Sequence, residues 1–179
     1  MAERKPRRLD QCALWDYALR ALGGRAHSVA ELKEKLRGRA ERVSDADAVL
    51  ARLKEYGYLD DRKFASNYAA ARLERQGFGR ARVLRDLQQR KVARQVAETA
   101  VRETFRETNE AELVEEFLRR KYRREKLGEF LAEPRNLASA YRRLRVAGFS
   151  SGAVLGVLKR HAREAELLES IETGEQEDP

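Results

Sequence analysis

Basic side chains give this sequence its clearest capacity for chemistry, and that chemistry is the binding of anions. Arginine and lysine pair with phosphates and carboxylates, so a dense group of them indicates a polyanionic or acidic partner. The alternative is that they form solvated helix faces. The candidate partner-binding or nucleic-acid-binding residues are Arg72, Arg75, Arg80, Arg82, Arg85, Arg90, Lys91, Arg94, Lys121, Arg123, Arg124, Arg142, Arg143 and Arg145.

Other reactive residue types lack the neighbours that catalysis or metal binding requires. Cys12 is the only cysteine, which excludes an internal disulfide and a cysteine zinc cluster. His27 and His161 are isolated in the sequence. We expect His27 to lie in a turn and His161 to lie late in a helix. Asp60 and Asp61 follow a turn signal, which favours a helix cap over a metal site. The sequence thus predicts no catalytic residue, no metal, no cofactor and no enzyme.

The segment Gly77-Phe-Gly79 lies among the first group of arginines. It lacks the strand and the third glycine of a dinucleotide-binding motif, and the sequence contains no phosphate-binding Gly-x4-Gly-Lys-Ser/Thr loop. Its backbone N–H groups are nevertheless a candidate anion contact.

Charge is distributed unevenly along the chain. The net charge is +8, but the segment 164–179 contains seven acidic residues and no basic one, which leaves +15 on residues 1–163. A strongly basic body indicates a polyanion or an acidic protein as partner. Two hypotheses apply to the acidic tail: it competes with the partner by folding back on the basic body, or it keeps the protein in solution.

Composition indicates an all-α protein. Charged residues make up 38% of the chain and there are only three prolines, which is typical of helices. No run of about 18 uncharged apolar residues is present, so no membrane span is predicted. The charged beginning of the sequence does not resemble a secretory signal, and we expect a cytoplasmic protein.

Start and stop signals divide the chain into nine predicted helices. Asp10, Ser28, the segment 44–47 and Asn109 are candidate caps, and Ser28 with Glu31 forms a capping box. Between the third and fourth helices, Gly57 is suited to the left-handed position past a helix end. Either of the two aspartates that follow it can cap the next helix.

The nine helices form three sets of three. Apolar positions match when Leu36, Leu87 and Leu144 are superposed. The matches continue at the residues ten and fourteen further on. At the position five further on, Glu41 stands where the other two sets have an apolar residue, and we predict that Val43 takes its place. We therefore predict three tandem three-helix repeats that form an elongated, curved body. The predicted limits are 1–9 for a basic arm, 10–58, 59–107 and 108–163 for the repeats, and 164–179 for the acidic tail.

The motifs at these positions resemble those of the RecX regulatory protein family. The specific part is Glu55-Tyr-Gly-Tyr-Leu-Asp-Asp-Arg-Lys-Phe-Ala65, and the likeness extends from about Trp15 to Arg160. Weaker matches are Ser28-x-x-Glu31-Leu32-x-x-Lys35-Leu36, Gly77-Phe-Gly79-x-x-x-Val83-x-x-x-Leu87-x-x-Arg90-Lys91-Val92 and Arg142-Arg-Leu-Arg-Val-Ala-Gly-Phe-Ser150. Arg80, where the family often has proline, and Glu41 depart from the pattern.

The resemblance implies a function in recombination, DNA repair and the SOS response. RecX-like proteins bind the filament that the RecA recombinase forms on DNA, and they inhibit its extension, ATPase and strand exchange. The expected main partner is this filament. Single- or double-stranded DNA is expected as a secondary partner, and its binding should depend strongly on salt concentration. We expect a monomer that does not bind membranes. The alternative is a helical DNA-binding protein that acts by direct competition for DNA, with residues 28–53 as a helix-turn-helix.

Overall fold

The chain is all-α. A computed structural model describes residues 8–161; the acidic tail and most of the basic arm lie outside them. The described residues contain no β-strand, although an isolated parallel bridge joins Leu9 to Ala40. They form ten helices: α1 (Gln11–Gly24), α2 (Val29–Arg37), α3 (Val43–Glu55), α4 (Asp61–Gln76), α5 (Arg80–Gln89), α6 (Arg94–Thr104), α7 (Glu110–Lys121), α8 (Leu127–Leu131), α9 (Pro134–Val146) and α10 (Ser151–His161).

Side-chain caps begin several of these helices, as predicted. Asp10 accepts a hydrogen bond from Ala13 N (2.9 Å) at the start of α1, and Asn109 accepts one from Ala111 N (3.0 Å) in α7. Both bonds of the Ser28–Glu31 capping box are present. Such bonds satisfy N–H groups that have no partner within the helix.

The start of α3 differs from the prediction. We expected a cap from residues 44–47, but the helix begins earlier, at Val43, and Arg42 at the cap position makes no side-chain capping bond. Asp45 instead lies in the first turn, buried, with Oδ2 3.1 Å from Nε of Arg42. The carboxylate therefore pairs with the residue that precedes the helix.

The junction between α3 and α4 is built largely as predicted. Gly57 has φ +72°, a conformation that L side chains rarely adopt. Asp60 Oδ1 accepts hydrogen bonds from Arg62 N (2.8 Å) and Lys63 N (3.1 Å) and so caps α4. Asp61 has a different role, because its Oδ1 accepts a bond from Val29 N (2.8 Å) at the start of α2.

The repeat pattern is visible in burial. All nine superposed residues at the three matched apolar positions are buried: Leu36, Leu87, Leu144, Ala46, Ala97, Val154, Leu50, Val101 and Leu158. The prediction that Val43 replaces Glu41 is wrong, since Val43 is 57% exposed. Ala40 is buried there instead, because the chain turns one residue earlier.

The third set of helices contains one more than predicted. The five-residue α8 lies between α7 and α9, and its Leu131 is fully buried. Pro134 is in the first turn of α9, where its missing N–H costs no helical hydrogen bond. The limits of the predicted repeats and of the two terminal segments stay a prediction.

The described residues divide into two compact units. Unit 1 comprises residues 8–68 and 86–101, and unit 2 comprises 69–85 and 102–161. In unit 1, a core of buried residues from α1, α2 and α3 includes Leu14, Leu32 and Leu53. In unit 2, a core from α7 to α10 includes Leu118 and Tyr141.

Candidate partner-binding surface

In unit 1, Arg90 is held by contacts within the chain. Its Nη1 lies 2.9 Å from Oε1 of Glu31, and its guanidinium lies 5.6 Å from the ring centroids of both Phe64 and Tyr68. The Arg90 side chain is 25% exposed. An ion pair at this depth, packed on two rings, contributes to holding α2 near α4 and α5.

Backbone contacts strengthen the same region of unit 1. The hydroxyl of Ser28 donates a hydrogen bond to the carbonyl of Arg90 (2.5 Å). Lys91 pairs with Glu34, and Arg94 pairs with Glu98 (2.7 Å). The hydrogen bond and charge of Glu98 raise the pKa of Arg94. The side chains of these three predicted basic residues therefore already have acidic partners, and only Lys91 and Arg94 are largely exposed.

Glu31 is the acidic centre of this network. It accepts hydrogen bonds from Arg25 Nη1 (3.3 Å), Arg90 and the backbone N–H of Ser28 (3.1 Å). Burial acts to raise the pKa of Glu31, but the bonds from Arg25 and Ser28 and the charge of Arg90 outweigh it, and the pKa lies below its ordinary value. The carboxylate therefore stays charged well into the acidic range.

His27 lies in the connection between α1 and α2, as predicted, but it is buried. Its Nδ1 is 3.6 Å from Glu31 Oε2, which is beyond hydrogen-bond distance. Burial, together with the positive charges of Arg25 and Lys35, lowers the pKa of His27 below its ordinary value. The folded state therefore favours the neutral imidazole.

Acidification is expected to destabilise the protein in part through His27. The unfolded chain binds more protons than the folded one between the ordinary pKa of 6.5 and the lower folded value. The contribution of His27 to the free energy of unfolding is fully present above the pKa of the unfolded chain. It is lost as the pH falls from that value through the folded pKa. Urea midpoints at about pH 8 and about pH 5 should differ less for His27→Gln than for the unsubstituted protein. A His161→Gln control should retain the contribution of His27; an unchanged pH dependence in His27→Gln would contradict this account.

In unit 2, three of the predicted arginines make contacts that support the fold. Arg80 donates from Nη2 to the carbonyl of Phe105 (2.7 Å). The guanidinium of Arg82 lies 5.6 Å from the ring centroid of Phe78, and the Nε of Arg82 is buried. Arg145 donates from Nη1 to the carbonyl of Phe149 (2.7 Å) just after α9. Substituting these residues would perturb folding as well as any partner contact.

The Gly77–Gly79 break is not an anion site. Gly79 N donates to the carbonyl of Ala147 (2.9 Å), and Ala81 N donates to that of Gly148 (3.2 Å). Gly77 N is also bonded, to the carbonyl of Leu73 (2.9 Å). The prediction of an anion contact is therefore wrong, because the tertiary fold of unit 2 supplies carbonyl partners for these donors.

Most of the other predicted basic residues of unit 2 are exposed. Arg72 is partly buried and has partners within the chain. The exposed ones are Arg75, Arg85, Lys121, Arg123, Arg124, Arg142 and Arg143. Tyr122, which precedes two of them, packs on Phe130 at 4.7 Å between ring centroids and so belongs to the core. These exposed residues of unit 2 are available to an anionic partner.

Arg52 is not among the predicted binding residues. The guanidinium of this residue lies 4.4 Å from the ring centroid of Trp15 and 5.3 Å from that of Tyr56. Trp15 is only partly buried. The spacing of Arg52 and Tyr56 on one helix face was the available signal.

Comparison with known proteins identifies the family. The model for the first three-helix domain of RecX matches residues 15–53, and that for the second matches residues 60–101. The regulatory protein RecX of Escherichia fergusonii is 38% identical over 113 residues, which cover 58% of this chain and 68% of that protein. The chain belongs to the RecX family. RecX of Escherichia coli K12 is 36% identical with the same coverage.

Solved RecX structures share the fold. The crystal structure of RecX from Lactobacillus salivarius has a TM-score of 0.63 at 16% identity and covers 85% of this chain and 96% of its own. A second crystal structure of a regulatory protein RecX has a TM-score of 0.62 at 20% identity, with 84% and 71% coverage. The predicted all-α repeat class is thereby confirmed. The RecX relatives are named regulatory proteins.

Neither a membrane-spanning helix nor a metal-binding group of side chains occurs among the described residues. Within residues 8–161, none of the helices is both long and apolar enough to cross a bilayer. The same residues contain no group of three His, Cys, Asp or Glu side chains placed to hold a metal ion.

Proposed function

We propose that this RecX-family protein binds the RecA–DNA filament and inhibits its extension, ATPase and strand exchange, and so modulates recombination and DNA repair. Family membership, at 38% identity to a regulatory protein RecX, is the observation that carries the proposal. The exposed arginines of unit 2 support it, because a nucleoprotein filament presents both phosphates and acidic side chains. Since such filaments assemble on cellular DNA, the proposal places a monomeric protein in the cytoplasm.

The proposed mechanism needs no reaction at the protein itself. A protein that binds one state of the filament more tightly than another shifts the filament toward the favoured state. A difference of about 5 kcal/mol between the two states is enough to reverse a strongly biased equilibrium. The candidate contacts are the exposed residues Arg75, Arg85, Lys121, Arg123, Arg124, Arg142 and Arg143. Contact with DNA alone is secondary in this proposal.

The protein is expected to inhibit the RecA ATPase on single-stranded DNA at concentrations far below those that coat the DNA. Binding to filament ends or to a few filament sites affects many RecA subunits, whereas competition for DNA requires coverage of the lattice. The measurement is ATP hydrolysis as a function of added protein, with DNA coverage followed in parallel by a labelled oligonucleotide. Inhibition that appears only at full coverage would favour the helical DNA-binding alternative, and no inhibition would reject both functions.

A further inference from the structure

A cluster of aromatic rings around one arginine lies on unit 1, and we call it the Arg52 cluster: Trp15, Arg52, Tyr56 and Tyr58. Trp15 meets Tyr56 and Tyr58 edge to face, with ring centroids 5.9 and 6.4 Å apart. The Arg52 guanidinium lies over Trp15 and Tyr56. The four side chains therefore hold one another in a fixed arrangement.

Two rings of the cluster are largely exposed to solvent. Tyr56 and Tyr58 are 55% and 56% exposed. Beside them is a groove of about 270 Å³ between α1 and α3, lined by Gln11, Cys12, Trp15, Val49 and Arg52. Tryptophan, tyrosine and arginine are the residue types that contribute most binding energy at protein interfaces. A groove of this size accommodates a single apolar side chain.

Within the part of the chain that the structure describes, the charge of Arg52 has no acidic partner. Among residues 8–161, no carboxylate forms an ion pair or hydrogen bond with its guanidinium. In contrast, Arg25, Arg37 and Arg90 all pair with acids in the same unit. The contacts with Trp15 and Tyr56 use no N–H hydrogen bond to a carboxylate, so the donors of Arg52 are available for a planar, bidentate acceptor.

The local charge favours a peptide over a nucleic acid as the occupant. Residues 8–59 contain ten basic and eight acidic residues, whereas residues 60–107 and 108–161 each contain twelve basic and seven acidic ones. A polyphosphate is attracted by the summed charge of a surface, which is small around the Arg52 cluster. A single carboxylate next to an apolar side chain needs only one well-placed guanidinium.

We propose that the Arg52 cluster binds a short segment of a partner protein in which an apolar or aromatic side chain adjoins a carboxylate. The apolar side chain enters the groove and packs on Trp15, and the carboxylate accepts hydrogen bonds from Arg52. Tyr56 and Tyr58 flank the segment. This site is made of unit 1 residues and includes none of the predicted arginines of unit 2, and it does not require the partner to be RecA.

Trp15 is the only tryptophan of the chain, so its fluorescence reports this site directly. The probes are capped pentapeptides with glutamates on both sides of a central leucine, phenylalanine or tyrosine, added to the full chain. At least one should change Trp15 emission saturably, and the versions with glutamine in place of glutamate should bind about tenfold more weakly. Arg52→Gln should weaken the acidic peptide about tenfold, whereas Lys54→Gln, the same charge change on the same helix, should leave it within about twofold.

Three results would overturn the proposal. One is the absence of saturable binding by all three acidic peptides to a protein whose circular dichroism is that of the folded chain. Another is an oligothymidine that binds at Trp15 with the same dependence on Arg52, which would assign the site to nucleic acid. The third is a change in Trp15 emission on raising protein concentration alone, abolished by Arg52→Gln, which would assign the cluster to self-association. None of these results depends on inhibition of RecA.

Discussion

Gly148→Ala is expected to lower the melting temperature by about 10 °C, through a loss of about 3 kcal/mol or more. Gly148 has φ +93°, and a Cβ added there would lie 2.2 Å from the backbone nitrogen of Arg82. The backbone of α5 would have to move away, and with it the bonds from Gly79 and Ala81 to the α9–α10 turn. Thermal unfolding followed by circular dichroism measures the effect.

Another glycine of the same region provides a matched control. Gly156 lies in α10, exposed, and a Cβ there would meet nothing within 4 Å. Gly156→Ala should therefore stabilise the protein by up to about 1 kcal/mol, since alanine is the better helix former. Gly79→Ala should resemble Gly148→Ala, because its Cβ would lie 2.3 Å from the carbonyl oxygen of Gly148. A Gly148→Ala protein as stable as Gly156→Ala would contradict the observed close packing.

Neutralising Arg142 and Arg143 together is expected to raise the concentration needed for half-inhibition of the RecA ATPase about tenfold or more. Both side chains are exposed on α9, while their neighbours Tyr141 and Leu144 are buried. The Arg142→Gln, Arg143→Gln double variant should therefore fold normally. If both arginines contact phosphates, the dependence of the logarithm of DNA affinity on the logarithm of salt concentration should become less steep by about two.

The control makes the same charge change in the nearly neutral first repeat. Lys33 and Arg37 lie on α2 and both approach Asp47, at 3.8 and 3.0 Å. The Lys33→Gln, Arg37→Gln variant should inhibit RecA almost normally and lose only the small energy of exposed ion pairs. Equal loss of inhibition in both double variants would mean that total charge matters and that the arginines of α9 have no particular role.

The helices and their caps were largely predictable because the signals are local. Ser28 and Glu31 are three residues apart, and the left-handed position of Gly57 follows from the chain on either side of it. The α3 start was missed because Asp45 pairs with Arg42 in preference to capping the helix. The short α8 was missed because five residues carry too little periodicity to predict a helix.

The sequence indicated only in part which basic residues are exposed, because the same helical spacing fits an arginine on the surface and one packed into the fold. Arg82 and Arg85 look alike in sequence, three residues apart on a helix, yet Arg82 is partly buried against Phe78 and Arg85 is exposed. The Arg52 cluster was missed because Trp15 and Arg52 are far apart in sequence. Their contact becomes visible only when α1 packs on α3.

The sequence by itself determined the family, the all-α class, the repeat register and the basic character of the chain. Each depends on residue type, on contacts within a helical turn or on periodicity, all of which can be read along the chain. Only the tertiary structure decided which charges are available to a partner. Contacts between residues 25 to 68 positions apart join Arg90 to Glu31, Arg80 to Phe105 and Gly79 to Ala147. The side chains and N–H groups that the sequence indicates as binding groups are therefore used to stabilise the fold.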